Sequence, residues 1–288
     1  MADTIGEIDI RGENIERAVK GFANKMYKLK QVLLNEGSSN WTESYYRETN
    51  TPLTAGGNRD IKDVARGALP PELHPSWTKV STIQKKFMGQ VTIFYEDLKT
   101  NAINTQARSL FRCAEAIVNS EELYIYAQLT AATSTSGVVA AIDDWDSATI
   151  ANRSPIDDIL IGIGAMTTNH YDVKQNGFLL VKPVDYASLL RNSKVINNPS
   201  FKTADVVSNG VVGQICGLKI IESTSVDADE AMIVMGNRAA TWKQVVPLTS
   251  AIIDDPGVSI KIRCWEMGHI QITDPQALYT ITNIDVDA

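Results

Sequence analysis

From Val258 to Ile272 the apolar side chains Ile260, Ile262, Cys264, Ile270 and Ile272 all fall at one parity, with Gly268 in step. Residues two apart share a face of an extended chain, so this run predicts a single strand with one buried face. It greatly exceeds the usual five or six residues, so the strand has to bend, with Gly268 the natural place, and pass from one subdomain to another. The surrounding 288 residues suffice for one large domain or two interleaved ones. Hydrophobic residues make up 44% and charged residues 21%, the balance of a chain that buries a real core.

Upstream, Ile15, Val19, Phe22, Met26, Leu29 and Leu33 recur every three or four positions, which predicts an amphipathic helix over 13–35, ended near Gly37. The stretch from Ser38 to Gly89 is dense in proline and glycine and carries Trp41, Tyr45 and Tyr46. Within it, Trp77 to Gln84 and Gln90 to Tyr95 read as the two strands of a hairpin. A loop of that length is uncommon in a compact domain unless it is functional, and its aromatic residues need a surface to bury against, such as a neighbouring subunit. Helical spacing then runs from Ile103 to Ala132, capped by Thr100 or Asn101. At 1.5 Å per residue this helix would be about 45 Å long, and its second apolar flank (Phe111, Val118, Ile125) implies contact on more than one side. Helix and strand alternate beyond it. Ser154-Pro155-Ile156-Asp157 reads as a capping box opening a helix toward Met166, followed by a strand at 178–181 and a short helix from Pro183. A strand pair from Gly210 to Ile221 and a buried strand at 231–236 complete the series.

Chemistry-bearing patterns are sparse. His74, His170 and His269 have no metal-spaced partner. Asp143-Asp144-Trp145-Asp146 lacks the glycine and terminal glutamate of a calcium loop and reads as a solvated acidic turn. Gly162-Ile163-Gly164 lies inside a predicted helix and lacks the third glycine of a dinucleotide fingerprint. Cys113, Cys216 and Cys264 are odd in number and scattered, which suits a reducing compartment and argues against a disulfide framework. No cofactor or metal is expected, and no catalytic group. Apolar runs fall well short of the roughly 20 residues that span a bilayer, so no membrane partner is expected. The net charge is −7, unlike a chain whose main task is gripping nucleic acid. Charge is segregated: residues 11–36 carry six basic and three acidic side chains, whereas 222–288 carry four and ten.

The order of elements, with Val211 to Ser223, Ala231 to Gly236, Val258 to Glu266 and Asp274-Pro275-Gln276-Ala277-Leu278-Tyr279 in succession, resembles the HK97-type major capsid protein family. Phe178-Leu179-Leu180-Val181-Lys182-Pro183 and the short helix after it are similar to that family's axial domain. The resemblance implies an α+β fold of four parts: an N-terminal arm (1–37), an extended β-hairpin loop (38–98), a peripheral domain with a long spine helix (99–134 and 246–270), and an axial α/β domain (135–245 and 271–288). It implies a structural protein of the virion that assembles in the host cytoplasm, as pentamers and hexamers of itself, into an icosahedral shell around double-stranded DNA. Separate scaffold, portal and decoration proteins are further partners it suggests. Trp41, Tyr45, Tyr46, Arg66, Trp77 and Phe87 are the expected intersubunit contacts, ordinary intrachain core being the other reading for Trp77 and Phe87. An encapsulin-like nanocompartment shell is the alternative on the same fold, and a cytoplasmic enzyme of unknown reaction the alternative outside it.

Overall fold

The computed structural model describes residues 12–48, 65–69, 77–100, 105–133, 137–192, 195 and 213–285. Helix α1 (Gly12–Met26) lays Ile15, Val19 and Ala23 against the body. The predicted helix over 13–35 therefore stops nine residues early. The backbone amides of Lys28 and Leu29 donate to the buried carboxylate of Glu122 instead of bonding back along the helix, the Leu29 bond at 2.8 Å. A 3-10 turn over Leu29–Gln31 and strand β1 (Leu34–Gly37) follow, and Leu29, Val32 and Leu33 stay buried through the change of conformation. Apolar spacing thus survived where helix did not.

Strands β2 (Thr42–Glu48) and β3 (Trp77–Ile83) pair antiparallel as a two-stranded ribbon, from Thr42↔Ile83 to Glu48↔Trp77. This corrects the hairpin expected between 77–84 and 90–95. Residues 85–94 form one uninterrupted strand, β4 (Lys85–Phe94), which pairs with the long C-terminal strand. Phe87, Gly89, Val91 and Ile93 share its inner face, so the glycine taken for a turn is a strand residue. A Cβ there would stand 3.3 Å from Cys113 Sγ, so its absence lets a helix settle close.

Helix α2 (Tyr95–Thr100) leads to α3 (Thr105–Ala132), 28 residues or about 42 Å. The proposed caps differ from what is seen: Thr100 ends α2, and Asn101 lies outside the described residues. After β5 (Val138–Ala140) come α4 (Pro155–Thr168), α5 (Val173–Asn176), β6 (Gly177–Val181) and α6 (Pro183–Arg191). Ser154 is the N-cap of α4, but its side chain makes no capping bond, and its carbonyl takes the amides of Asp157 and Asp158. The expected capping box is therefore not formed. Strands β7 (Gln214–Ile215), β8 (Leu218–Glu222), β9 (Glu230–Met235), β10 (Ala240–Asp255), β11 (Ser259–Ile272) and β12 (Leu278–Thr282) complete the chain.

Two larger sheets result. One has the order β1-β10-β11-β4, the other β5-β12-β9-β6-β8-β7. The N-terminal half of α3 (Leu110, Cys113, Ala114, Ile117) packs with α1 on the inner face of the first sheet. Its C-terminal half (Ile125, Tyr126, Leu129) belongs to the core of the second. Strands β10 and β11 cross the same way, with Leu248, Ile260 and Ile262 in one core and Trp242, Ile270 and Ile272 in the other. The long strand is thus one piece. The register break lies in β10, between Gln244 and Thr249, opposite Gly268.

Candidate functional site

Alternation gives the β2–β3 ribbon two different faces. On the inner face Tyr45 is buried, accepting a hydrogen bond from the Ile272 amide (3.3 Å) and one from Arg47 (3.2 Å). Gln271 donates to Glu43 at 2.8 Å, the Arg47 guanidinium donates to the Ile272 carbonyl at 3.3 Å, and the Glu48 amide donates to the Thr273 carbonyl at 2.9 Å. Beneath them His269 is fully buried, and burial lowers its pKa and favours the neutral ring. The ribbon is therefore tied by one face to the last residues of β11.

The outer face is left over. It presents Thr42 opposite Ile83, Ser44 opposite Ser81, Tyr46 opposite Lys79 and Glu48 opposite Trp77. The two serine hydroxyls bond to each other at 3.0 Å. Tyr46 is 63% exposed, and Trp77 and Ile83 are each 57% exposed. Trp41, just ahead of β2, is 57% exposed as well. Large apolar groups standing in water beside small polar ones have the composition of a surface that buries against another protein.

Of the six residues read from the sequence as contacts, Trp41, Tyr46 and Trp77 lie exposed on or beside the ribbon, and Arg66 sits in an exposed turn at 65–69. Tyr45 packs inward, as described. Phe87 also packs within the chain: it touches both cores, its ring 5.8 Å from that of Tyr124 and 6.4 Å from that of Trp242. For Phe87 the intrachain-core reading is the one the geometry supports.

A buried charge junction was not anticipated. Lys30 forms ion pairs with Glu266 of β11 and, at 3.4 Å, with Glu121 of α3. Glu266 further accepts hydrogen bonds from the Tyr27 hydroxyl (2.6 Å) and from Gln244 of β10 (2.6 Å). The Lys30 ammonium also lies over the rings of Tyr27 (4.4 Å) and Trp242 (4.9 Å). One cation thus faces two carboxylates, both withdrawn from water. Burial, reinforced by the neighbouring Glu266 and only partly offset by Lys30, pushes the Glu121 carboxyl up to about 8. Next to it, Glu122 takes the Lys28 and Leu29 amides and the Ser223 hydroxyl (3.1 Å). These contacts lock the segment after α1 onto the middle of α3, where the two cores meet. Among the described residues no group of three histidine, cysteine or acidic side chains is arranged to hold a metal ion.

Comparison with known proteins places these features. The family model described as phage capsid protein matches residues 78–281. No curated protein sequence matches. Among solved structures, the capsid of the cyanophage P-SCSP1u superposes with a TM-score of 0.68 at 11% identity, over 99% of this chain and 93% of the other. A virus-like particle from Pyrococcus furiosus gives 0.63 at 15% identity, over 93% and 98%. The SrpI encapsulin from Synechococcus elongatus PCC 7942 gives 0.57 at 11%, over 100% and 93%. At such identities these likenesses speak for the fold, which is of the HK97 type.

Proposed function

The chain belongs to the phage capsid protein family and is a major capsid protein, and from that premise we propose that it closes, as pentamers and hexamers, into an icosahedral shell around double-stranded DNA. In this reading α3 with the four-stranded sheet is the peripheral part of the subunit and the six-stranded sheet its axial part. The β2–β3 ribbon reaches over a neighbouring copy. The chain works by association and carries out no reaction; assembly takes place in the host cytoplasm, with scaffold, portal and decoration proteins as separate chains.

The observation that carries this reading is the ribbon's asymmetry. Its inner face is satisfied within the chain by Tyr45, Glu43 and Arg47, so Tyr46, Trp77 and Ile83 are not needed for folding. Aromatic anchors of this kind dominate the energy of protein interfaces. In a shell each weak contact is repeated by symmetry, so the loss of one anchor is multiplied over every copy.

The test is electron microscopy of negatively stained protein with light-scattering mass, comparing the wild type with a Tyr46→Ser/Trp77→Ser variant. Wild type is expected to form closed particles or rings of five and six. The variant is expected to remain folded, its melting temperature little changed because both positions are exposed, and to form none. Normal shells from the variant would sink the assignment of the ribbon. The same fold serves an encapsulin, so nucleic acid inside the particles, as opposed to protein, is the outcome that separates virion from nanocompartment.

A further inference from the structure

Two thiols lie against each other in the core between α3 and the first sheet. Cys264 of β11 is the register partner of Gly89 on β4. Cys113 of α3 points at that same glycine, its Sγ 3.3 Å from where a Cβ would stand. The missing side chain lets the helix come down onto the strand pair and sets the sulfurs side by side. Both cysteines are free, and they are 3% and 0% exposed. Both belong to the one core that α1, α3 and the first sheet enclose. Their contact draws the Cys113 thiol down, whereas the same contact and then burial drive the Cys264 thiol up. When two thiols lie this close, peroxide oxidation of one can be resolved by the other into a disulfide. The third cysteine, Cys216, is half-buried in the turn between β7 and β8 and has neither neighbour.

We propose that Cys113 and Cys264 are an oxidation site, forming an intrachain disulfide that staples the long helix to the long strand when the protein meets a peroxide. The Cys113 thiolate attacks one peroxide oxygen. The O–O bond breaks, leaving a sulfenic acid on Cys113 and a hydroxide that is protonated to water. The Cys264 thiol then attacks the Cys113 sulfur and passes its proton to the departing hydroxyl, forming the S–S bond and releasing a second water. The two thiol protons end in the two waters, and the two electrons lost by sulfur are those gained by the peroxide. A peroxide is small enough to enter through local opening, which a bulky disulfide reagent is not. The bond would close a chain loop from 113 to 264, and cross-links over long loops restrict the unfolded chain most. The inference rests on the packing of one subunit and is independent of the assembly reading.

The experiment treats the full chain with hydrogen peroxide, blocks the remaining thiols under denaturing conditions, and maps peptides without reduction. The expected result is a mass loss of about 2 Da, a linked pair of peptides carrying Cys113 and Cys264, and a melting temperature raised by about 5 °C or more over dithiothreitol-treated protein. Cys216→Ser should preserve all three, and Cys113→Ser should abolish them. Recovery of Cys113 and Cys264 as free thiols or as separate sulfinic and sulfonic acids would overturn the proposal, as would a link that includes Cys216.

Discussion

At the level of single residues, the Lys30, Glu121 and Glu266 junction sets the response to pH. Glu121 has its folded pKa raised to about 8, well above the ordinary carboxyl value of 4.5. Between those two values the folded chain holds a proton that the unfolded chain has released, so stability falls as pH rises through that window and levels off above it. Lys30, Glu266 and Tyr27 are the charged and titratable groups facing it from the turn, β11 and the end of α1. Glu121→Gln keeps the neutral shape, so thermal melts from pH 4 to 9 should show the wild type losing stability relative to the variant through the window. Parallel curves would remove Glu121 from the account. Replacing Lys30 with methionine would leave the buried Glu266 carboxylate without its cation, beside a protonated Glu121, and should cost about 3–5 kcal/mol in denaturant unfolding at neutral pH. Half of this junction was legible in the sequence. Glu121 stands midway between Ile117 and Ile125 on the apolar stripe of α3, and Glu266 keeps the buried parity of Cys264 and Gly268. Both are charges at core positions. Which cation would meet them was not legible, because Lys30 arrives only through a turn that replaces predicted helix.

At the level of elements, the long strand β11 was readable from parity alone, and its equally long partner β10 was not. Pro247 interrupts β10, and its two halves are out of register with each other across Gln244 and Thr249, so no alternation runs through it. Proline is tolerated because it sits where the ladder is already broken. The β2–β3 ribbon was missed for another reason: the lysines and glycine at 85–89 carry turn chemistry, yet β4 has a ready partner in β11 and tertiary pairing overrides local preference. The glycine at 268 has a structural task as well. A Cβ there would stand 2.6 Å from Trp242 Cζ2 and 2.9 Å from the Lys243 carbonyl oxygen, and Trp242 is fully buried. Gly268→Ala should therefore destabilise the fold by about 1–3 kcal/mol through overpacking. The midpoint of chemical denaturation measures it, and an unchanged midpoint would show that the strands can shift to admit the methyl group.

At the level of the whole molecule, the architecture was legible as an order of elements, and the surfaces that matter for assembly only as composition. Trp41, Tyr46 and Trp77 could be marked as aromatic residues in a loop. That Tyr45 between them turns inward follows from strand alternation, which becomes visible only once β2 and β3 are paired. The same pairing suggests a clean deletion. Glu48 and Trp77 are opposite one another, so residues 49–76 can be replaced by Asn-Gly, which closes a two-residue hairpin. This variant should fold as a subunit with near-normal melting and fail to form closed particles; shells of ordinary size in the microscope would exclude any need for the removed segment. The two cores, finally, are joined by α3, β10 and β11 running side by side through both. Three spars joined at mid-span, α3 and β11 through ion pairs with Lys30 and β10 through the Gln244–Glu266 hydrogen bond, share any bend among them. A subunit asked to fit places of different curvature would flex as a beam along its whole length, and the work of fitting would be stored as elastic bending instead of being relieved at a joint.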